Sequence, residues 1–381
     1  MKKILLIPDS FKGTMSSSEV CKIMKDSIQP YFPEANLISI PVADGGEGSV
    51  DSFLAAAGGE KIWVDVKGPH FETVKGFYGR LTDGTAVIEM AAAAGLPLAG
   101  DNPHVETATT YGVGQLILHA VQSGCRKVII GLGGSATNDG GAGAASALGI
   151  RFQNLSGKVF VPVGDTLSDI DSINFGSLIP ELAETELITM CDIDNPLCGP
   201  QGAAAVFGPQ KGADAEMVKK LDRNLACFAD VLQRETGKDI RGLPGSGAAG
   251  GMGGGMAALF HSKLQMGIET VLDVVHFDQL LCNADLVISG EGKLDSQSLR
   301  GKVIIGVAHR TKGKNVPLMA VVGDIGDHTD GIYKEGVAAV FSTNRKAVPF
   351  SEAQKTCRSD LAHVMDNIMR LLSCRHTADF F

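Results

Sequence analysis

No stretch of this sequence approaches the ~18 consecutive apolar residues of a membrane-spanning helix. The opening "MKKILLIPDS" carries an apolar run too short for a signal segment. Basic residues are in the minority: 34 Lys and Arg stand against 43 Asp and Glu, a formal charge of −9. That balance speaks against nucleic acid or an anionic membrane as partner, although a local cation cluster could still take a small anion. The eight cysteines include no C-x-x-C pair and no histidine at zinc spacing, so they read as reduced thiols in the cytoplasm. None of the nine histidines sits in H-E-x-x-H, and no G-x-S-x-G elbow occurs. These absences argue against zinc hydrolysis and acyl transfer. A Walker G-K-[ST] is missing as well.

Glycine, by contrast, is abundant, with 48 residues in a chain of 381. That length suffices for two domains. "ILLI" (Ile4–Ile7), a helical stretch from Ser17 and the strand "NLISIPV" open a βαβα rhythm. From Trp63 the pattern changes to consecutive strands with a turn at Asp83-Gly84, hence locally antiparallel. The β/α rhythm returns at "ADLVISGEGK" and runs to a closing helix with Leu361, Val364, Met365, Ile368 and Leu371 at helical spacing. The expectation is an α/β chain of two domains. A Rossmann-like parallel-sheet domain (1–68 and 283–381) would hold a second α/β domain (69–282) inserted into it.

The densest glycine stretch, "GLGGSATNDGGAGAASALG" (Gly131–Gly149), follows the apolar run "KVII". "GLGGSA" matches the loose spacing G-x-G-x-x-G/A, but "TNDGG" stands where the helix should begin. Arg151, not an acidic residue, lies ~20 positions on. A dinucleotide site is therefore poorly supported. What remains is a bare backbone entering a helix N-terminus, a shape that offers N–H groups to phosphate. "GSGAAGGMGGGMAAL" (from Gly245) has the same shape, and for both runs the plain alternative is a tight turn against a close-packed helix. Other polar loops follow candidate strands: "PDSFKG", "ADGGEG", "CDIDNPLCG" and "SGEGKLDSQSLRGK". The last sets Lys293, Arg300 and Lys302 beside Glu291 and Asp295, a mixture of signs suited to Mg²⁺-phosphate chemistry.

These loops, in this order, resemble the bacterial glycerate kinases that make 2-phosphoglycerate. The resemblance is carried by "PDSFKG", "PVADGGEG", "IEMAAAAGL", "GLGGSATNDGGAG", "CDIDNPLCGPQGAAAVFGPQKGA", "GAAGGMGGGMAA" and "SGEGKLDSQSLRGKV". It departs at Gly13 and Met15, where Glu and Leu would be expected, and at Gly254-Gly255, which replace alanines; after Val340 it supports no assignment. It implies ATP and Mg²⁺ as cofactors and D-glycerate as acceptor, and leaves a homo-oligomer open. Lys12, Lys293, Arg300 and Lys302 become the cations for the triphosphate and the glycerate carboxylate. The N–H groups of Gly133, Gly134 and Ser135, with Asn138, would hold phosphate. Asp192 and Asp295 lead as Mg²⁺ ligands or as acceptors of the hydroxyl proton, with Asp9, Asp44 and Asp139 behind them. Rival readings are a 3-phosphoglycerate-forming kinase, a dinucleotide-dependent oxidoreductase and a non-catalytic sensor of small organic acids.

Overall fold

The computed structural model describes residues 1–42, 45–101, 103–295, 298, 302–327 and 329–374. The first strands are β1 (Lys3–Pro8), β2 (Asn36–Ser39), β3 (Gly59–Lys67), β4 (Thr73–Leu81), β5 (Ala86–Glu89) and β6 (Lys127–Gly131). They are followed by β7 (Arg151–Gln153), β8 (Val159–Phe160), β9 (Ser172–Asn174), β10 (Glu186–Met190) and β11 (Lys263–Gln265). The last three are β12 (Leu286–Leu294), β13 (Leu318–Ile325) and β14 (Val337–Ser342). The chain is α/β, with parallel-sheet regions in more than one sheet. It divides into two compact units: Met1–Ala43, Ala55–Ala57 and Ile268–Phe381 form the first, Asp44–Leu54 and Gly58–Gly267 the second. Pro69 thus lies within the second unit, since β3 pairs with β4 along its whole length. Cys282 lies within the first, where Gly306 and Ile268 pack together.

In the first unit a five-stranded sheet runs in the order β14-β13-β12-β1-β2, with every pairing parallel. β1 lies inside the sheet between β12 and β2, which is why "ILLIP" is apolar without alternation: both faces of such a strand are covered and all five residues are buried. The helix Ser17–Ile28 is capped by Ser16, whose Oγ accepts from Glu19 N (3.3 Å), and it buries Val20, Cys21, Met24 and Ile28. This face meets Leu361, Met365, Ile368 and Met369 of the closing helix Phe350–Cys374 in one core with Ile4, Leu6, Ile288 and Val321. The helix Val303–Lys312 packs on β12 and β13. Chain order reverses between β1 and β12, and in open α/β sheets ligands bind outside the carboxyl ends of the strands at such a switch point.

The six-stranded sheet of the second unit has the order β11-β10-β6-β5-β4-β3. β3, β4 and β5 are antiparallel. The Asp83-Gly84 turn forms as its residues demand: Gly84 has φ +85° and Thr85 N donates to Asp83 Oδ1 (2.9 Å). β5, β6, β10 and β11 are parallel, so β5, β6 and β10 end side by side. A small antiparallel sheet, β8-β7-β9, covers a second core in which Phe152 and Phe228 meet edge to face. The long helix Ala215–Thr236 borders that core; Asp214 caps it by accepting from Met217 N (2.8 Å), and Gly237 ends it in a left-handed turn. Among the described residues no helix is long and apolar enough to cross a membrane.

Candidate active site

In the first unit the ends of β1 and β12 gather the polar residues. Asp9 N donates to Gly290 O (2.8 Å), and the Asp9 carboxylate accepts from Ser10 N (2.6 Å). A Cβ on Gly292 would lie 3.3 Å from Lys12 N, so glycine there lets the "PDSFKG" loop run close along β12. Lys12 and Lys293 are exposed. Lys302 is also exposed and immediately precedes the helix Val303–Lys312. Asp295 closes a small turn, accepting from Ser298 N (3.3 Å) while its own N–H donates to Ser298 Oγ (3.1 Å). Arg300 and Asp44 lie outside the described residues.

At the centre of this group is Glu291, a residue to which the sequence alone gave no separate role. It is 5% exposed. Burial pushes its carboxyl up to about 7; Asp9 and Asp295 add to the effect, while Ser298 and Lys302 oppose it. Its Oε1 has no hydrogen-bond partner among the described residues. The four groups that act on Glu291 come from the β1 end, the β12 end and the N-terminus of the following helix. Local sequence grouping could link Glu291 to Asp295 and Lys302, but not to Asp9.

In the second unit the glycine run leaves the end of β6, opposite Glu89 on one side and Met190 on the other. Gly133 N–H donates to Gly45 O (2.9 Å), and a Cβ on Gly133 would sit 2.5 Å from Gly46 Cα. Glycine is required here because two backbones touch. The loop is strapped to residues 94–96 by Ala136 N to Ala94 O and Leu96 N to Gly134 O, each 2.9 Å. The N–H groups of Gly134 and Ser135 have no partner among the described residues. Thr137 Oγ1 and Asn138 Nδ2 are buried without partners too. The second glycine run packs on the first: Gly140 N donates to Gly250 O (3.0 Å), and a Cβ on Gly250 (φ +64°) would lie 2.1 Å from Thr137 O.

Two buried charges hold this loop from beneath. Asp139 accepts from Thr110 N (2.8 Å), Thr110 Oγ1 (2.9 Å), Gly141 N (3.1 Å) and Gly143 N (3.2 Å). Burial raises its pKa and these bonds oppose the rise; with its oxygens so occupied, it serves the loop and the helix Ala142–Ala147 rather than a ligand. Lys211, 2% exposed, donates to Ser135 Oγ and to Thr137 O, both at 2.8 Å. Burial lowers its pKa to about 7, against the pull of Asp139. Sequence reasoning assigned Lys211 nothing; the available signal was a lysine set between glycines in "GPQKGA". Asp192 is exposed just past β10, on the strand end beside the loop, and accepts from Gly267 N (2.7 Å).

The two units therefore carry different chemistry. The second presents backbone and side-chain donors without partners, backed by a buried cation, which suits an oxyanion. The first presents carboxylates and cations together. Among the described residues no three His, Cys, Asp or Glu side chains form a metal-binding group of their own. Mg²⁺ is commonly held by one or two carboxylates plus substrate phosphates; the Asp192 and Asp295 carboxylates have that chemistry, and Glu291 Oε1, without a partner among the described residues, is a further oxygen near Asp295.

Residues 4–373 match the Glycerate kinase family. A protein named "Glycerate kinase" from Bacillus subtilis (strain 168) is 45% identical over 355 residues, covering 92% of this chain and 92% of that protein. "Glycerate 2-kinase" from Escherichia coli (strain K12) is 40% identical over 373 residues, 97% of this chain and 98% of that one. The solved structure of a glycerate kinase 2 candidate from Salmonella typhimurium LT2 superposes with a TM-score of 0.87 at 39% identity, over 99% of this chain and 100% of that chain. A fold shared over the full length, with motifs spread through both units, leads to one assignment: the chain belongs to the glycerate kinase family.

Proposed function

We propose that the protein transfers the γ-phosphoryl group of ATP to the 2-hydroxyl of D-glycerate, giving 2-phosphoglycerate. The observation that carries this reading is the near full-length kinship with the Escherichia coli protein named "Glycerate 2-kinase". The loop at Gly131–Gly141 supports it independently, because its partnerless donors suit a phosphate group. On this reading the first unit is a Rossmann-like parallel-sheet domain into which the second is inserted. The eight free cysteines accord with a cytoplasmic enzyme.

Phosphoryl transfer passes through a loose transition state, so catalysis is chiefly alignment and charge stabilisation. Gly134 and Ser135 N–H groups and Asn138 hold phosphate oxygens, while Gly133, its N–H already given to Gly45, shapes the loop. Lys12, Lys293 and Lys302, with Arg300, bind the triphosphate and the glycerate carboxylate. Asp192 and Asp295 hold Mg²⁺ or accept the proton of the attacking hydroxyl. Bound Mg²⁺ neutralises charge on the phosphate oxygens.

Phosphorus NMR of the product from the full chain, D-glycerate, ATP and Mg²⁺ tests the reading. A 2-phosphoglycerate signal is expected. A 3-phosphoglycerate signal would overturn the regiochemistry, and the absence of any phosphorylated product would overturn the kinase.

A further inference from the structure

A charged lysine can only donate, and it has three N–H groups to place. Shut away from water, Lys211 gives one to Ser135 Oγ and one to the Thr137 carbonyl. Ser135 Oγ must then accept, and its single proton has to point elsewhere. Among the described residues Ser135 makes no other side-chain hydrogen bond, and Thr137 Oγ1 and Asn138 Nδ2 beside it are orphaned. Leaving buried polar groups unpaired is costly, so this convergence points to a ligand with several acceptor oxygens.

We infer that Lys211 is a positioning residue: by donating to Ser135 Oγ it aims the Ser135 hydroxyl proton at an oxygen of the phosphate held in the loop. The inference rests on the loop being the phosphate site of the proposed kinase. A lysine acting only as a strut would predict the same contacts, so the distinguishing consequence is directional. A neutral amine carries a lone pair and can accept from Ser135, which turns the hydroxyl away from the ligand. Lys211 reaches that state near pH 7, and Asp139 is the charged group acting on it. In the segments packed nearby, His104 and Glu106 pair with each other (3.2 Å) and Asp214 caps its own helix.

The test is ATP affinity by titration calorimetry, without Mg²⁺ or glycerate, on the full chain at about pH 6 and about pH 8.5. Wild type, Ser135→Ala and Lys211→Met are compared at each pH, so that the titration of ATP itself cancels. At the lower pH wild type should bind about ten-fold tighter than either variant, the worth of one hydrogen bond to a charged group. At the higher pH that advantage should largely vanish. A Ser135→Ala deficit equal at both pH values would overturn the inference and leave the phosphate-loop reading standing. Wild-type affinity in both variants at both pH values would overturn that reading, and the inference with it. If Lys211→Met fails to fold, wild type against Ser135→Ala across the two pH values decides alone.

Discussion

Replacing Glu291 by Gln keeps its shape and removes its charge. In the folded protein this carboxyl is pushed up from its ordinary 4.5 to about 7, first by burial. A group whose folded pKa is raised contributes stability that is fully present below its unfolded pKa and lost as pH rises through the folded one. For Glu291 the window therefore runs from about 4.5 to about 7. At ~1.4 kcal/mol per pKa unit, ionising Glu291 in place costs the native state about 3 kcal/mol. Most of that, about 2–3 kcal/mol, falls between about pH 5 and pH 8. Glu291→Gln has no such penalty at any pH. The variant should gain stability relative to wild type by that amount between the two pH values, when both are unfolded in urea with EDTA and without nucleotide. A variant-minus-wild-type difference constant to within about 0.5 kcal/mol across the range would show that Glu291 is solvated or paired, and the account of its environment would fall.

Lys12→Ala should raise the Michaelis constant for glycerate or for ATP; steady-state kinetics that leave both unchanged would remove Lys12 from the site. Asp192→Asn and Asp295→Asn should lower turnover by ~10²–10⁴ where the carboxylate accepts the hydroxyl proton, or raise the Mg²⁺ requirement where it binds metal. Near-normal turnover of both at ordinary Mg²⁺ would dismiss both roles. Gly133→Ala forces a Cβ to within 2.5 Å of Gly46 Cα. Overpacking of that kind costs about 1–3 kcal/mol, to be read as a fall in thermal midpoint; an unchanged midpoint would mean that the two backbones separate freely.

Several elements were legible because their causes are local. The inner strand "ILLIP", the helix from Ser17, the Asp83-Gly84 hairpin turn and the apolar spacing of the closing helix each state their conformation within a dozen residues. The region from Arg151 to Gly247 did not. Three of its four strands are two or three residues long and carry no period to read, although the long helix Ala215–Thr236 does repeat its buried Leu221, Leu225, Phe228 and Leu232 at helical spacing. The second glycine run was ambiguous for another reason. A glycine that admits a neighbouring backbone and one that admits a phosphate leave the same mark in a sequence.

By itself, then, the sequence determined the α/β class, the parallel character of β1 and its neighbours, the resemblance to the glycerate kinases and the polar, glycine-bearing loops that follow its strands. Tertiary structure decided which partners several residues of those loops meet. It gave Gly133 to a backbone contact with Gly46, Gly250 to a close approach to Thr137, and Asp139 to the support of the loop itself. It also put Lys211 under Ser135 and Asp9 beside Glu291. The partners in these pairs lie far apart along the chain. Burial and its electrostatic consequences depend on what folding brings together in space, and local propensity carries no record of that.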